Sequence, residues 1–506
     1  MYFYQEDSKT LNVDVDTIND SDDENEVLGT SGLINLGNTC YMNSIIQCLS
    51  NCEDFKLFIL SDEFINKIIS SNTNYKFNQH TEHVNNFLSY QLRRIFSNLW
   101  NSSFYSFRPI TFRKLFGNKI NQFQNSDQHD SQEALLCILD TINEETQSKI
   151  NITPVNRNLN YEVLESLFKN EDDNNIKILN IIRSNLEDYL NFKSIYDYKK
   201  SHNFYSKINS IFEGRTIYIL ECDKTKGIKA KFESFFYLTL SIPYLDSDSE
   251  SESESDSESD SESSSTSKAT VCSKCISELN DDVSDNESCN NDDEAEKSEA
   301  IDNESSKSDD SDNESDNSND SDSNSKNSES SDLKLLNQNI QGKIKQNNNK
   351  ITLYDLFDKF IENEMLTDNN KWLSPYANEY VDANSYTLLW DTPKILIILI
   401  KRFEFSYTGG STKISHLVDF PINNFDITKY VHPSNKKTHK TYDLIAINNH
   451  ASFSNKSGLS FGHYYSYCKN NLDNKWYYYD DETVKQIDED KLITNNAYML
   501  FYQAKS

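Results

Sequence analysis

The chain has 506 residues and a formal net charge of −32, from 49 Lys and Arg against 81 Asp and Glu. That balance excludes a nucleic-acid backbone or an anionic membrane surface as the main partner, since both need clustered cations. Length alone sets a prior of about two to four domains. The charge is unevenly spread: residues 246–332 carry 30 acidic and 5 basic side chains, residues 1–28 carry 9 and 1, and the rest sums to about +1. The 9 cysteines are odd in number and sparse. They do not form a disulfide framework and fit a reducing compartment, cytoplasm or nucleus. Met1–Asp23 lacks the apolar core of a secretory signal, and the most apolar run, Ile395–Ile400, is too short to span a bilayer.

In chain order, residues 1–28 are expected to be a disordered acidic leader, because they hold too little apolar surface to offset ordering entropy. Order is expected from Gly29. Residues 33–145 read mainly as helical, with apolar positions at helical spacing in Cys40–Leu49, His83–Leu99 and Ser131–Ile142. Phe235–Ile242 alternates like a strand and stops at Pro243. The tract 246–332 follows, rich in Ser, Asp, Glu and Asn, and reads as a low-complexity insertion rather than a folded unit. A helix is expected over Leu353–Glu364. After Pro393 the pattern turns to strands: Lys394–Phe405, Tyr442–Asn448, Tyr464–Lys469, Trp476–Tyr479 and Tyr498–Tyr502. Strands in succession suggest an antiparallel sheet, so the fold class is α+β.

Chemistry concentrates first in Gly32–Ser44. There Cys40 stands where a loop enters a helix, whose unpaired N–H groups and partial positive charge favour thiolate. Gly37 gives the backbone freedom to pass close to a substrate, and Asn35 has an amide that can face a developing oxyanion. A cysteine on its own is more often a buried helix thiol, the reading that suits Cys48 and Cys137. A nucleophile needs a base. Among the 9 histidines, His463 follows Gly462 at the start of a strand, and a neighbouring strand ends in Asp480, where a carboxylate can orient the imidazole.

These segments resemble the ubiquitin-specific protease family, the papain-like cysteine deubiquitinases. Gly32–Ser44 resembles its Cys box. Gly462-His463-Tyr464 with Trp476, Asp480, Asp481 and Ala497–Tyr502 resembles its His box and closing strand. Gln128–Glu133 resembles its Gln/Asp/Glu box, and Leu396–Phe403 its central strand. The resemblance covers residues 30–503 apart from the insertion. It implies one catalytic domain over 29–506 with a helical thumb, a β-sheet palm and β fingers. It also implies Cys40 as nucleophile, His463 as general base and acid, Asp480 as the group that orients His463, and Asn35 as oxyanion-hole donor. Asp481 is the nearest competitor for the acid, and His450 lines the site without being the base. Gln128, Asp130, Glu133, His450, Gly462 and Asp481 are implied to bind substrate. Asp130 and Glu133 either neutralise arginines in the ubiquitin tail or serve at a helix start. Glycines beside both reactive residues, Gly37 and Gly462, fit a channel for ubiquitin's terminal glycines.

The chain departs from the family where many members hold zinc in the fingers with two Cys-x-x-Cys pairs. Only Cys222 of the four is present. Asp223 to Thr225 and Ser374 to Ala377 stand in place of the others, so the fingers are expected to lack metal, and no cofactor is expected. Cys272-Ser273-Lys274-Cys275 is a lone pair inside the acidic tract and is expected to hold no functional zinc. The insertion itself reads as a solvated, self-repelling loop, with recruitment of basic proteins as the sharper alternative. The partners implied are ubiquitin and its conjugates. Two alternatives stay open: a protease for another ubiquitin-like modifier, and an inactive ubiquitin-binding scaffold.

Overall fold

The computed structural model describes residues 27–71, 85–101, 104–150, 159–169, 175–222, 224–243, 350–405, 411–452 and 462–505. The leader up to residue 26, the insertion 246–332 and Cys272, Cys275 and Cys289 lie outside the described residues. Among the described residues no helix is long and apolar enough to cross a membrane.

The helical part contains α1 (Cys40–Ser50), α2 (Glu53–Leu60), α3 (Leu88–Asn101) and α4 (Ser131–Thr146), followed by α5 (Leu186–Ser201) and, much later, α6 (Leu353–Phe360). The three helices expected over 40–49, 83–99 and 131–142 are present, the second starting at Leu88 rather than His83. Asp130 caps α4: its carboxylate accepts from Gln132 N at 2.8 Å. In α6 Thr352 and Asp355 form a capping box, and the helix stops at Phe360, short of Glu364. Glu364 instead opens an edge strand.

Two sheets organise the rest. The strands are β1 (Gly214–Cys222), β2 (Gly227–Phe235), β3 (Leu238–Ser241), β4 (Glu364–Leu366), β5 (Ala383–Asp391), β6 (Ile395–Lys401), β7 (Phe425–Asp426), β8 (Thr441–Ser452), β9 (Gly462–Lys469), β10 (Trp476–Asp480), β11 (Thr483–Ile487) and β12 (Ala497–Ala504). The fingers sheet runs β2-β1-β5-β4, and the large sheet runs β11-β10-β9-β8-β12-β6-β3 with β7 on β8. The expected antiparallel sheet holds except at its end, where β3 lies parallel to β6.

Two expected strands are each broken. Phe235–Ile242 is not one strand: Phe235 ends β2 opposite Gly214, Phe236 and Tyr237 form a bend, and Leu238 opens β3 in the other sheet. The alternation is genuine, but it passes from one sheet to another. Lys394–Phe405 breaks at Arg402. Its fully buried guanidinium donates to the carbonyls of Ala497 (2.6 Å), Ile414 (3.1 Å) and His416 (2.8 Å), and so ties neighbouring chain segments together.

The continuous apolar run Ile395–Ile400 is explained by burial on both faces of β6. Ile395, Ile397 and Leu399 join the cluster under α1, α2, α3 and α4, while Leu396, Ile398 and Ile400 join a second cluster with Leu353, Phe357, Phe425 and Tyr502. A third cluster joins α5 to the fingers through Leu190, Phe192, Ile217, Ile219 and Trp390.

Candidate active site

The loop before α1 is shaped by one side chain. Asn35 Oδ1 accepts from Gly37 N (2.9 Å), Thr39 N (3.1 Å) and Thr39 Oγ1 (3.3 Å), a local alternative to regular backbone pairing. Gly37 and Asn38 have φ of 99° and 52°, so the chain turns sharply and Cys40 becomes the first residue of α1, with its side chain largely buried. A Cβ on Gly37 would meet nothing within 4 Å; its positive φ is what favours glycine there.

α1 lies across β9. Cys48 and Cys468 hydrogen-bond between the two elements, and burial pushes the Cys48 thiol well above its usual range. A second clamp is Asn448 on β8, fully buried: its Nδ2 donates to Ser44 Oγ at 2.8 Å, and its Oδ1 accepts from Ser131 Oγ at 2.8 Å. One amide thus ties α1 and α4 to the sheet. Sequence reasoning missed it, although a polar residue after the run Leu444–Ile447 was a visible signal.

With α1 so placed, Cys40 meets the sheet residues expected beside it. His463, second residue of β9, shares Nε2 with Asp480 Oδ1 at 2.5 Å, and Cys40 is the other hydrogen-bonding partner of the ring. Asp480 foremost, and Cys40 after it, push His463 up to about 10. In return His463 holds the Asp480 carboxyl below its usual range, although burial opposes this. Imidazolium is therefore the favoured form of His463 at neutral pH.

Asp481 stands near His463, within 4.8 Å, but its hydrogen bonds go elsewhere. It follows β10 with φ of 49°, and its oxygens accept from Asn35 Nδ2 (2.9 Å) and Asn43 Nδ2 (2.8 Å). Burial raises its carboxyl, against the pull of these two donors. One Asn35 N–H is thus committed to Asp481, which leaves the second Nδ2 hydrogen. The donor atoms of His463, Asp480 and Asp481 lie within 4.8 Å of one another, a spacing that suits a metal ion. Here, however, these atoms are engaged in the hydrogen bonds just described.

The remaining expected residues fall into three environments. Gln128 Oε1 accepts from Gly462 N at 3.2 Å. A Cβ on Gly462 would lie 2.1 Å from His450 Nε2 and 2.7 Å from Ala451 O, so only glycine fits. His450 is fully buried among Phe403, Tyr464 and Tyr498, and burial, with Lys413 and His463 nearby, lowers it to about 3. Asp130 is engaged inside the protein: beyond capping α4 it accepts from Tyr498 OH (2.7 Å) and Tyr464 OH (3.4 Å), and burial raises it to about 6. Glu133 is exposed and accepts from Gln122 Nε2 at 3.2 Å. In the fingers, Cys222 is buried against Leu220, Trp372, Val381 and Ala383, and Tyr376 OH bonds Ile228 O at 2.9 Å.

The family model described as "Ubiquitin carboxyl-terminal hydrolase" matches residues 31–502. Among curated relatives, ubiquitin carboxyl-terminal hydrolase 12 of Saccharomyces cerevisiae is 40% identical over 163 residues, 32% of this chain and 12% of the relative. Ubiquitin carboxyl-terminal hydrolase 15 of Homo sapiens is 36% identical over 153 residues, 30% of this chain and 15% of the relative. The matched segments are thus less than a sixth of those proteins. Among solved structures, a chain of the SAGA DUB module Ubp8/Sgf11/Sus1/Sgf73 bound to monoubiquitin aligns with a TM-score of 0.50 at 17% identity. That alignment covers 94% of this chain and 70% of the other, a likeness of fold. With 31–502 matched and the Cys and His boxes in order on this fold, the chain belongs to the ubiquitin carboxyl-terminal hydrolase family.

Proposed function

We propose that the protein is a thiol-dependent deubiquitinase that cuts the peptide or isopeptide bond after the C-terminal glycine of ubiquitin. The observation that carries this reading is the convergence of Cys40, His463 and Asp480 from the start of a helix and the ends of two adjacent strands. In the proposed cycle the Cys40 thiolate, paired with the His463 imidazolium, attacks the glycine carbonyl carbon. The oxyanion is met by the free Nδ2 hydrogen of Asn35 and by the backbone N–H of Cys40, the first residue of α1. His463 then gives its proton to the leaving amine, the C–N bond breaks and a thioester remains. Water, deprotonated by His463, hydrolyses the thioester and regenerates the thiolate. Asp480 keeps the ring oriented and the imidazolium stabilised throughout. Gln128 holds the Gly462 backbone and His450 fills the wall behind it, so both shape the substrate channel. Glu133 is the exposed carboxylate open to a basic ubiquitin tail, whereas Asp130 supports the site from within.

The test is reaction with ubiquitin bearing a C-terminal electrophile. Labelling of the wild type and none of Cys40→Ala is the expected result. Ubiquitin binding without labelling of the wild type would instead favour the scaffold reading, and labelling only by another ubiquitin-like modifier would move the specificity. Residues 246–332 are proposed to be a solvated loop, with recruitment of basic proteins as the alternative, and the fingers to work without metal. The latter is supported by the apolar surroundings of Cys222, and one tightly held zinc per purified chain would overturn it.

A further inference from the structure

Asp480 has two oxygens, and His463 uses one. The other accepts from Tyr478 OH at 2.6 Å, while Oδ1 stands 2.5 Å from His463 Nε2. Tyr478 precedes Asp480 by two residues on β10, so both side chains leave the same face of the strand. The Tyr478 ring is itself held: it packs edge-on against Tyr465 (centroids 5.3 Å apart, 83°) and Tyr467 (5.7 Å, 62°) on β9. Tyr478 lies directly opposite Tyr467 of β9 on one side and Lys485 of β11 on the other.

A carboxylate at the end of a strand turns readily about its last torsion, which has broad, roughly two-fold preferences. Anchoring only Oδ1 leaves that torsion to the same bond that must orient His463. An anchor on Oδ2 that is fixed by neighbouring rings removes this freedom. We propose that Tyr478 is a positioning residue of the reaction: its hydroxyl fixes the Asp480 carboxylate so that Oδ1 stays aimed at His463 Nε2. This rests on the protease reading above, but it concerns a residue outside the triad and the oxyanion donors. Burial, followed by the bond to Asp480, pushes the Tyr478 phenol well above its usual range, so it stays a donor at every working pH. The charged and titratable groups facing Asp480 are His463, the phenol of Tyr478 and the like-charged Asp481 carboxylate within 4.8 Å, with Lys485 contributing a favourable charge.

The experiment compares full-length wild type, Tyr478→Phe and Tyr467→Phe. The second variant removes a hydroxyl from the same aromatic wall without touching Asp480. One readout is kcat and KM on ubiquitin carrying a fluorogenic C-terminal amide. The other is the pH midpoint for alkylation of Cys40 by iodoacetamide, read by mass spectrometry. Tyr478→Phe is expected to lower kcat roughly tenfold with KM little changed, since a hydrogen bond to a charged group is lost. It should also move the alkylation midpoint to higher pH, because a freed Asp480 stabilises the imidazolium, and hence the thiolate, less well. Tyr467→Phe should do neither. An unmoved midpoint, with or without a fall in kcat, overturns the proposal. So does a midpoint moved to lower pH, which would mean that the phenol only withdraws charge. If the wild type fails to cleave the amide, the protease reading falls, while the alkylation midpoints still decide the role of Tyr478.

Discussion

Asp480 accepts from His463 and Tyr478, whereas its neighbour Asp481 accepts from Asn35 and Asn43. The two acids are therefore separable by experiment. Asp480→Asn should lower kcat by roughly two to four orders of magnitude, and the His463 titration should fall from about 10. Asp481→Asn should also lower kcat, through a loosened Asn35, but lower the His463 titration less than Asp480→Asn does, since it removes a nearby charge and no hydrogen bond to the ring. Histidine NMR on both variants, alongside kinetics, checks the distinction. His450 gives a prediction for stability. Its folded value of about 3 lies below the usual histidine range, so the unfolded chain takes up a proton that the folded one refuses. Its contribution is complete above about 6.5 and is lost as pH falls towards about 3. His450→Phe should therefore show a shallower loss of stability over that window than the wild type, measured by urea unfolding at several pH values.

At the scale of elements, α1 and α4 are registered on the sheet by buried polar groups as well as by apolar packing. Asn448→Ala strands Ser131 Oγ and removes a donor from Ser44 Oγ. It should cost about 2–4 kcal/mol in chemical denaturation and reduce activity by loosening Cys40 relative to His463. How much of this architecture could be read beforehand depends on how local its cause is. The helices that carry Cys40 and Asp130 and the strands that carry His463 and Asp480 follow from periodicity and capping within a few residues. Cys40, His463 and Asp480 stand where α1, β9 and β10 meet. The breaks at Phe236 and Arg402 escaped the sequence reading because each is set by a partner distant in the chain: the edge of another sheet in one case, three carbonyls in the other. The same holds for Asn448, whose partners Ser44 and Ser131 lie far off in the chain; Tyr478 is only two residues from Asp480, and strand spacing gives their shared face but not the hydrogen bond between them. Asp130 was legible as a cap, but its tyrosine partners were not.

At the scale of the whole molecule, the charge of −32 does not describe the catalytic part, since residues outside 1–28 and 246–332 sum to about +1. Deleting 246–332 should leave kcat on a minimal ubiquitin substrate unchanged within about twofold, because none of the proposed site residues lies in that tract and solvated charges are screened by salt. Any loss should appear in capture of basic proteins, and that capture should weaken with salt; kinetics and pull-down at two ionic strengths check both. A different consequence follows from the hydrogen bond between Asn35 and Asp481, which joins positions 446 residues apart. The ribosome makes the thiol early and its partners late. During synthesis Cys40 emerges long before His463, and Asn35 before the Asp481 carboxylate that holds it. Closing so long a contact is slow, but under the proposed mechanism it also means that a stalled or prematurely ended chain lacks the base that cleavage needs. Competence comes only when the strands around His463 and Asp480 close over a helix made hundreds of residues before.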